Sequence, residues 1–350
     1  MGSPRRPLAA LPLEAAIPPV SPRPVGHAMT SPALAPVDPT AMIAWLREEA
    51  VVLQARESVF GEQVFLCARG RRHPIPSAAR LEEYGFRWPA NLQHVSERTI
   101  ASYAPAGSLP KPWQGAIDPA TLDDAMAMRG ALASGLSGFG LEIGAGASPF
   151  PVPPRCRVLY GDRLTYDELV AEPYPGQRVC DLVIPDILTD FDTIENVADG
   201  SLDFLVTCHV IEHTRNPIGS IAAAWTKLKP GGRLVLVVPD KERTFDRKRP
   251  VTPLDHLVAD HAAPDRARDF PHYEEFYRLA MPVPEHAYAA KVREKFNEAY
   301  AIHYHVWTHA SFAAMLEHVH RHVCPWTHVW THPAVADESR CIEFYALLVK

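Results

Sequence analysis

From residue 139 onward, short apolar runs alternate with segments whose apolar positions recur every three or four residues. Apolar runs of five to seven residues rich in Val, Ile and Leu suit buried strands, and the longer periodic segments suit helices with one face against a core. The pattern predicts strands over 139–143, 157–161, 179–185, 203–208 and 233–238. It predicts helices over 119–137, 165–171, 216–228, 254–261 and 310–322, and a closing hairpin of 327–332 with 341–349. Alternation of this kind builds an α/β fold: a mostly parallel sheet with helices on its faces, here ending in an antiparallel hairpin.

The connection after the first of these strands breaks the rhythm. Pro149, Pro151, Pro153 and Pro154 cannot lie inside a helix, because each lacks an N–H and clashes with the preceding turn. The first crossover helix is therefore expected to be very short or absent. The next one starts cleanly, with Thr165 and Glu168 at capping-box spacing.

Residues 40–115 follow a different pattern and predict a small α+β module. A helix over 41–53 begins just after Pro39. Gln63 to Pro76 reads as a hairpin, Ser77 caps a short helix through Leu81 and Glu83, Ser96 opens another helical turn, and 107–112 is a loop. Residues 1–39 carry ten prolines and few aromatics, which predicts a disordered leader.

Composition narrows the class. The 350 residues suffice for one large domain and a smaller one, and the net charge of −6 argues against a binder of nucleic-acid backbone. The six cysteines form no CxxC pair and read as reduced thiols. No apolar run approaches the roughly 20 residues that span a bilayer, and the proline-broken N-terminus lacks a signal peptide's apolar stretch, so the expected location is cytoplasmic.

The candidate chemistry lies where the first strand ends. Phe139-Gly-Leu-Glu142-Ile-Gly144-Ala145-Gly146 is followed by a second run ending in Asp162. Glycines there let the backbone approach a nucleoside, and a strand-end aspartate accepts hydrogen bonds from ribose hydroxyls. A nicotinamide dinucleotide would want a third glycine where Pro149 stands, and a helix N-terminus for its pyrophosphate. A nucleoside without phosphates, such as S-adenosylmethionine (SAM), needs neither.

Four segments in order along 137–350 resemble class I SAM-dependent methyltransferases of the type 11 kind: the Glu142–Gly146 turn with Asp162, Asp190 to Asp203, His209-Val-Ile-Glu212-His213, and Leu228-Lys-Pro-Gly-Gly232 leading into the fifth strand. The segments around 209–221, 239–261 and 303–308 also resemble a subgroup found beside glycan-biosynthesis genes. The resemblance implies a Rossmann-like domain over 116–350 with SAM as cofactor and a small-molecule or glycan acceptor. It implies that Glu142, Gly144, Ala145, Gly146, Asp162 and His209 line the cofactor site, with Asp190 or its rival Asp186 at the adenine. Asp181 and Asp203 read as structural, and Glu212 and His213 as securing the next helix.

Transfer to a hydroxyl would need a base, and His209, His303 and His305 are the candidate catalytic residues. The region of His303-Tyr304-His305 reads as loop and strand, so the last two would share a face. His209 and His213 are spaced as a helical metal pair, but His209 is expected at a strand end, so neither is assigned a metal. The cationic run Lys241–Arg249 is either a solvated loop or a substrate-side loop suited to an anionic acceptor. Rival readings are a SAM-fold module that binds without catalysis, an NAD-linked sugar enzyme and, built on the histidines, a metal hydrolase.

Overall fold

The computed structural model describes residues 49–55, 58–112, 117–171, 173–174, 182–336 and 341–350. The expected leader and all but the end of the first expected helix lie outside them, as does Asp181.

The N-terminal segment forms a five-stranded sheet in the order β4-β1-β2-β3-β5. Its strands are β1 (Val51–Ala55), β2 (Val64–Ala68), β3 (Arg71–Pro74), β4 (Leu92–Val95) and β5 (Ala104–Pro105), with helices α1 (Ala78–Glu83) and α2 (Glu97–Ala101). Val51 to Leu53, expected to end a helix, are strand instead. The segment pairs with antiparallel β2 and parallel β4, and the Val52 and Leu53 side chains are buried on its faces. The predicted hairpin is present. Arg69 and Gly70 both have positive φ, the turn whose twist suits two-residue hairpins. Ser77 caps its helix as expected, accepting from Arg80 N, and Ser96 caps the next, accepting from Thr99 N.

The second sheet has seven strands in the order β11-β12-β10-β9-β6-β7-β8. They are β6 (Phe139–Ile143), β7 (Arg157–Asp162), β8 (Ile187–Leu188), β9 (Leu202–Cys208), β10 (Leu228–Pro239), β11 (His328–His332) and β12 (Glu343–Val349). β8, β7, β6, β9 and β10 run parallel, and β12 and β11 form the antiparallel hairpin. Chain order reverses between β6 and β9, so the crevice at their carboxyl ends is where an open α/β sheet binds ligands.

Alternate residues of the central strands serve the two faces. Leu234, Leu236 and Val238 pack with helices α5 (Pro217–Lys227), α6 (Leu254–Ala262) and α9 (His309–His322). Val235 and Val237 pack on the other side with α3 (Ala125–Ser134). No helix spans 144–156. Phe150 and Val152 of the proline-rich connection are buried in the α3 cluster and fill part of that face. Helix α4 (Tyr166–Ala171) then opens with the expected capping box, Thr165 N donating to Glu168 at 2.8 Å.

Two more expectations change, and one unassigned region gains helices. The helix over 119–137 is a single tight turn at 119–121 followed by α3. Of the strand expected over 179–185, residues 179–181 lie outside the described residues and 182–185 are not strand; the strand beside β7 is β8, further along the chain. Pro185 has no N–H to offer, and Asp186 carries the pairing with both its N–H and its carboxylate on Tyr160. The region 263–300, unassigned from sequence, holds α7 (Phe270–Glu275), a wider helical turn at Phe276–Ala280, and α8 (Glu285–Asn297). The α8 pattern is mostly charged, with only Tyr288 and Val292 buried, so its periodicity is weak.

The two sheets meet tightly. Arg71 of β3 donates to Asp186 at 2.8 Å and stacks over the Tyr160 ring. A methyl on Gly107 would overlap the Phe150 carbonyl and stand 2.7 Å from Pro151 Cα, backbone atoms that cannot swing away. Gly107→Ala is therefore expected to cost about 1–3 kcal/mol of stability, read as a lower urea midpoint with an unchanged slope. Among the described residues no helix is long and apolar enough to cross a membrane, and the five described cysteines are free thiols.

Candidate functional site

At the end of β6 the chain turns through Gly144 (φ +76°) and Gly146 (φ +51°), a conformation that L side chains rarely adopt. A Cβ on Gly144 would lie 2.7 Å from Val210 Cγ2, and one on Gly146 would strike the Tyr174 hydroxyl. The turn is tied to its neighbour strand by Gly144 N donating to Gly161 O. Asp162, next in that strand, keeps one oxygen on Leu164 N (3.0 Å), and burial pushes its carboxyl upward. Both lie at the carboxyl ends of neighbouring parallel strands.

Glu142 is fully buried. Its Oε1 accepts from Phe150 N at 2.7 Å, which fastens the proline-rich connection to β6, while Oε2 has no protein partner. Burial pushes its carboxyl up to about 8, partly offset by the Phe150 bond. A buried, unpartnered carboxylate oxygen behind a glycine turn whose missing Cβ atoms leave the backbone bare fits the ammonium and nucleoside of SAM.

The adenine candidates differ. Asp190 Oδ1 caps a turn by accepting from Thr193 N and Oγ1, and its other oxygen is not used in that cap. Asp186, the rival, has Oδ2 held by Arg71 and by Tyr160 N, so that oxygen joins the two sheets. Asp203 is structural as expected, bonded to Phe139 N and Lys229.

His209 follows β9 with φ +55°, an uncommon conformation for a non-glycine residue. Its Nε2 lies 2.9 Å from Glu343 Oε2, and its ring is about 30 % exposed. Glu343 in turn takes a two-pronged bond from Arg129 of α3, at 2.9 and 2.6 Å. The Arg129 guanidinium and His209 together hold the Glu343 carboxyl down at about 2 despite burial. The result is an Arg129–Glu343–His209 relay that fixes the histidine's orientation, with Nδ1 4.0 Å from Glu212 Oε1.

Glu212 is buried and neither carboxylate oxygen has a hydrogen-bond partner. On its far side His303 Nε2 lies 3.9 Å away, while His303 Nδ1 is 2.6 Å from Asp246 Oδ2. The expectation that Glu212 and His213 secure a helix start is corrected. The Glu212 carbonyl accepts from Tyr304 N, and His213 Nδ1 bonds the Ile302 carbonyl, so both anchor the 301–306 segment.

His303 and His305 do not share a face, because 301–306 is not a regular strand. His303 turns to Glu212 and Asp246; His305 turns to His256 and His272. His305 is fully buried and its ring is pushed well below its ordinary range by desolvation, so it cannot meet an acceptor as a base. The cationic run is not a solvated loop. Lys241 bonds the Arg247 carbonyl, Arg243 bonds the Ala336 and Cys341 carbonyls, and Arg249 is buried on Asp246 and Glu275. Arg247 and Lys248 remain exposed.

Two groups bring ligand-type atoms within 4.8 Å of one another: Glu212, His213 and His303, and His256, Asp260, His272 and His305. Sequence reading missed these groupings, and it missed Arg129, Asp246 and Glu343. A lone acid within the apolar run Phe344–Val349 and its lead-in, and a lone aspartate within a cationic run, were the available signals. A cleft of about 430 Å³ between β3 and the amino ends of β6 and β7 lies at the opposite end of these strands.

A family described as a methyltransferase domain matches residues 137–327. No curated protein matches the chain. Among solved structures, a SAM-dependent methyltransferase from Thermotoga maritima, described as a possible histamine N-methyltransferase, is 14% identical over 61% of this chain and 83% of its own, with a TM-score of 0.34. The CurJ carbon methyltransferase is 15% identical over 67% of this chain and 61% of its own, with a TM-score of 0.35. The DszA carbon methyltransferase is 13% identical over 66% and 56%, with a TM-score of 0.34.

Proposed function

The chain belongs to the methyltransferase-domain family, and from that premise we propose that it moves the methyl group of SAM to a hydroxyl of a small polar acceptor, a sugar or glycan. The observation that carries the hydroxyl reading is His209, a partly exposed imidazole at the carboxyl end of β9 held by a buried carboxylate and arginine. A general base oriented by a third group is what removal of a hydroxyl proton requires. The sugar or glycan class is supported by the sequence resemblance, and exposed Arg247 and Lys248 after β10 suit an anionic one. In this reading residues 116–350 are the methyltransferase domain and 40–115 an accessory module.

SAM, when bound, supplies an electrophilic methyl whose leaving group is a neutral thioether. Glu142 Oε2 would hold the methionyl ammonium, the 144–146 backbone would face the cofactor, Asp162 would accept from the ribose hydroxyls, and Asp190 would serve the adenine. With Nε2–H donating to Glu343, His209 presents Nδ1 as the lone pair that accepts the acceptor's proton. Glu212, 4.0 Å from Nδ1, steadies the imidazolium that results. His303, more enclosed and committed to Asp246, is a positioning residue.

His209→Asn tests this, since asparagine tolerates positive φ and can still donate to Glu343. Turnover is expected to fall about 10²–10⁴-fold with SAM affinity unchanged by calorimetry, while His303→Ala falls less. Full turnover by His209→Asn at saturating acceptor would sink the assignment. Radiolabelled methyl transfer into a cell extract, fractionated into glycan, lipid, small-molecule and protein pools, reads the acceptor class.

A further inference from the structure

The segment between β10 and α9 gathers four side chains that the methyl-transfer reading does not use. His256 and Asp260 stand four residues apart on α6, which puts them on one helix face. His272 comes from α7 and His305 from the 301–306 segment. One ring nitrogen or carboxylate oxygen from each lies within 4.8 Å of the others. His256 Nε2 is 3.0 Å from Asp260 Oδ2 and 3.2 Å from His272 Nε2. Ligands at Zn–N and Zn–O distances near 2.1 Å on a tetrahedron stand about 3.4 Å apart, so these separations are close to those of a zinc shell.

Proton bookkeeping points the same way. Facing Nε2 atoms share at most one useful proton, and Asp260 Oδ2 competes for it, so the apo cluster leaves an acceptor unsatisfied. His305 Nε2 is taken by the Arg215 carbonyl at 3.3 Å, leaving Nδ1 buried with no partner in a fully buried side chain. A cation would satisfy what no protein group does. The surroundings are those of an oriented ligand set. Arg268 Nε holds the other Asp260 oxygen at 2.7 Å, and His272 also bonds the Tyr304 carbonyl.

We propose that His256, Asp260, His272 and His305 bind one zinc ion in a closed tetrahedral site. Three neutral imidazoles and one carboxylate are the N/O donor set that zinc takes, and four protein ligands leave no open position, so the role is structural. The ion ties α6, α7 and the 301–306 segment together, and through His305 it steadies His303 two residues away. The proposal is independent of the acceptor, because metal content is read without turnover.

The full chain is stripped with chelator, reconstituted with zinc or cobalt(II), and its bound metal measured by mass spectrometry. The expected result is about one zinc per chain, and intense cobalt absorption between about 500 and 650 nm from tetrahedral N/O ligation. Zinc is also expected to raise the melting temperature. His256→Ala and Asp260→Asn are each expected to weaken zinc binding more than about 100-fold. The His256 ring is about one-third exposed, so its loss leaves the fold intact by circular dichroism; if it does not, the near-isosteric Asp260→Asn decides. The proposal is overturned if the reconstituted wild type holds no zinc, if both variants keep wild-type affinity, or if Glu212→Gln abolishes binding while His256→Ala retains it. That last result would move the ion to the Glu212 cluster.

Discussion

Glu343→Ala is expected to destabilise the protein by about 3–5 kcal/mol, the usual result of breaking a buried ion pair from one side. Arg129, with its side chain only 13% exposed, would lose a two-pronged partner and keep its charge. His209 would lose its orienting bond in the same variant, so turnover at low temperature, where the chain stays folded, should fall as well. The pH dependence has a definite sign. The folded carboxyl titrates at about 2 instead of its ordinary 4.5, so its stabilisation is complete above about pH 4.5 and is lost as pH falls towards 2. A shift of that size is worth about 3 kcal/mol, in line with the mutational figure. Urea unfolding at pH 7 and at pH 3 should therefore show wild type and Glu343→Gln much closer together in acid. Parallel stability curves across that range would contradict the ion-pair account.

Glu142→Gln should do something unusual for a buried substitution: weaken cofactor binding while leaving the fold as stable or more so. Burial holds the Glu142 carboxyl at about 8, above its ordinary value, so the folded chain without ligand keeps a proton that the unfolded chain releases above about pH 4.5. The contribution of Glu142 to stability thus falls as pH rises from about 4.5 to 8. Glutamine keeps an oxygen for Phe150 N and removes that titration. A charge-assisted hydrogen bond to the ammonium is worth about 1.5–3 kcal/mol, which corresponds to roughly a 10–100-fold loss of SAM affinity. Calorimetry with SAM and thermal unfolding at pH 8 measure the two halves separately. Wild-type affinity in the variant would remove Glu142 from the ammonium site.

These two residues show where sequence reasoning reached and where it stopped. Glu142 was legible because it stands in a contiguous pattern: an apolar run, an acid and two glycines. Glu343 was not, because its meaning depends on Arg129, 214 positions earlier, and His209, 134 positions earlier. Asp186 is a related case: its place after an apolar run gives no sign that Arg71 of the other sheet holds one of its oxygens.

The sequence by itself determined most of the parallel strands, the closing hairpin and the class of cofactor. Periodicity placed β6, β7, β9, β10 and the last hairpin, and the prolines at 149–154 correctly removed a helix, because these are consequences of local backbone chemistry. Only the tertiary structure decided which polar groups share a site. His303 and His305 are two residues apart and serve different clusters, while His256, Asp260, His272 and His305 come together from three segments of the chain. Hydrogen bonding, desolvation and metal ligation act over a few ångströms in space. Sequence spacing reports that distance only along a regular helix or strand, and 301–306 is neither.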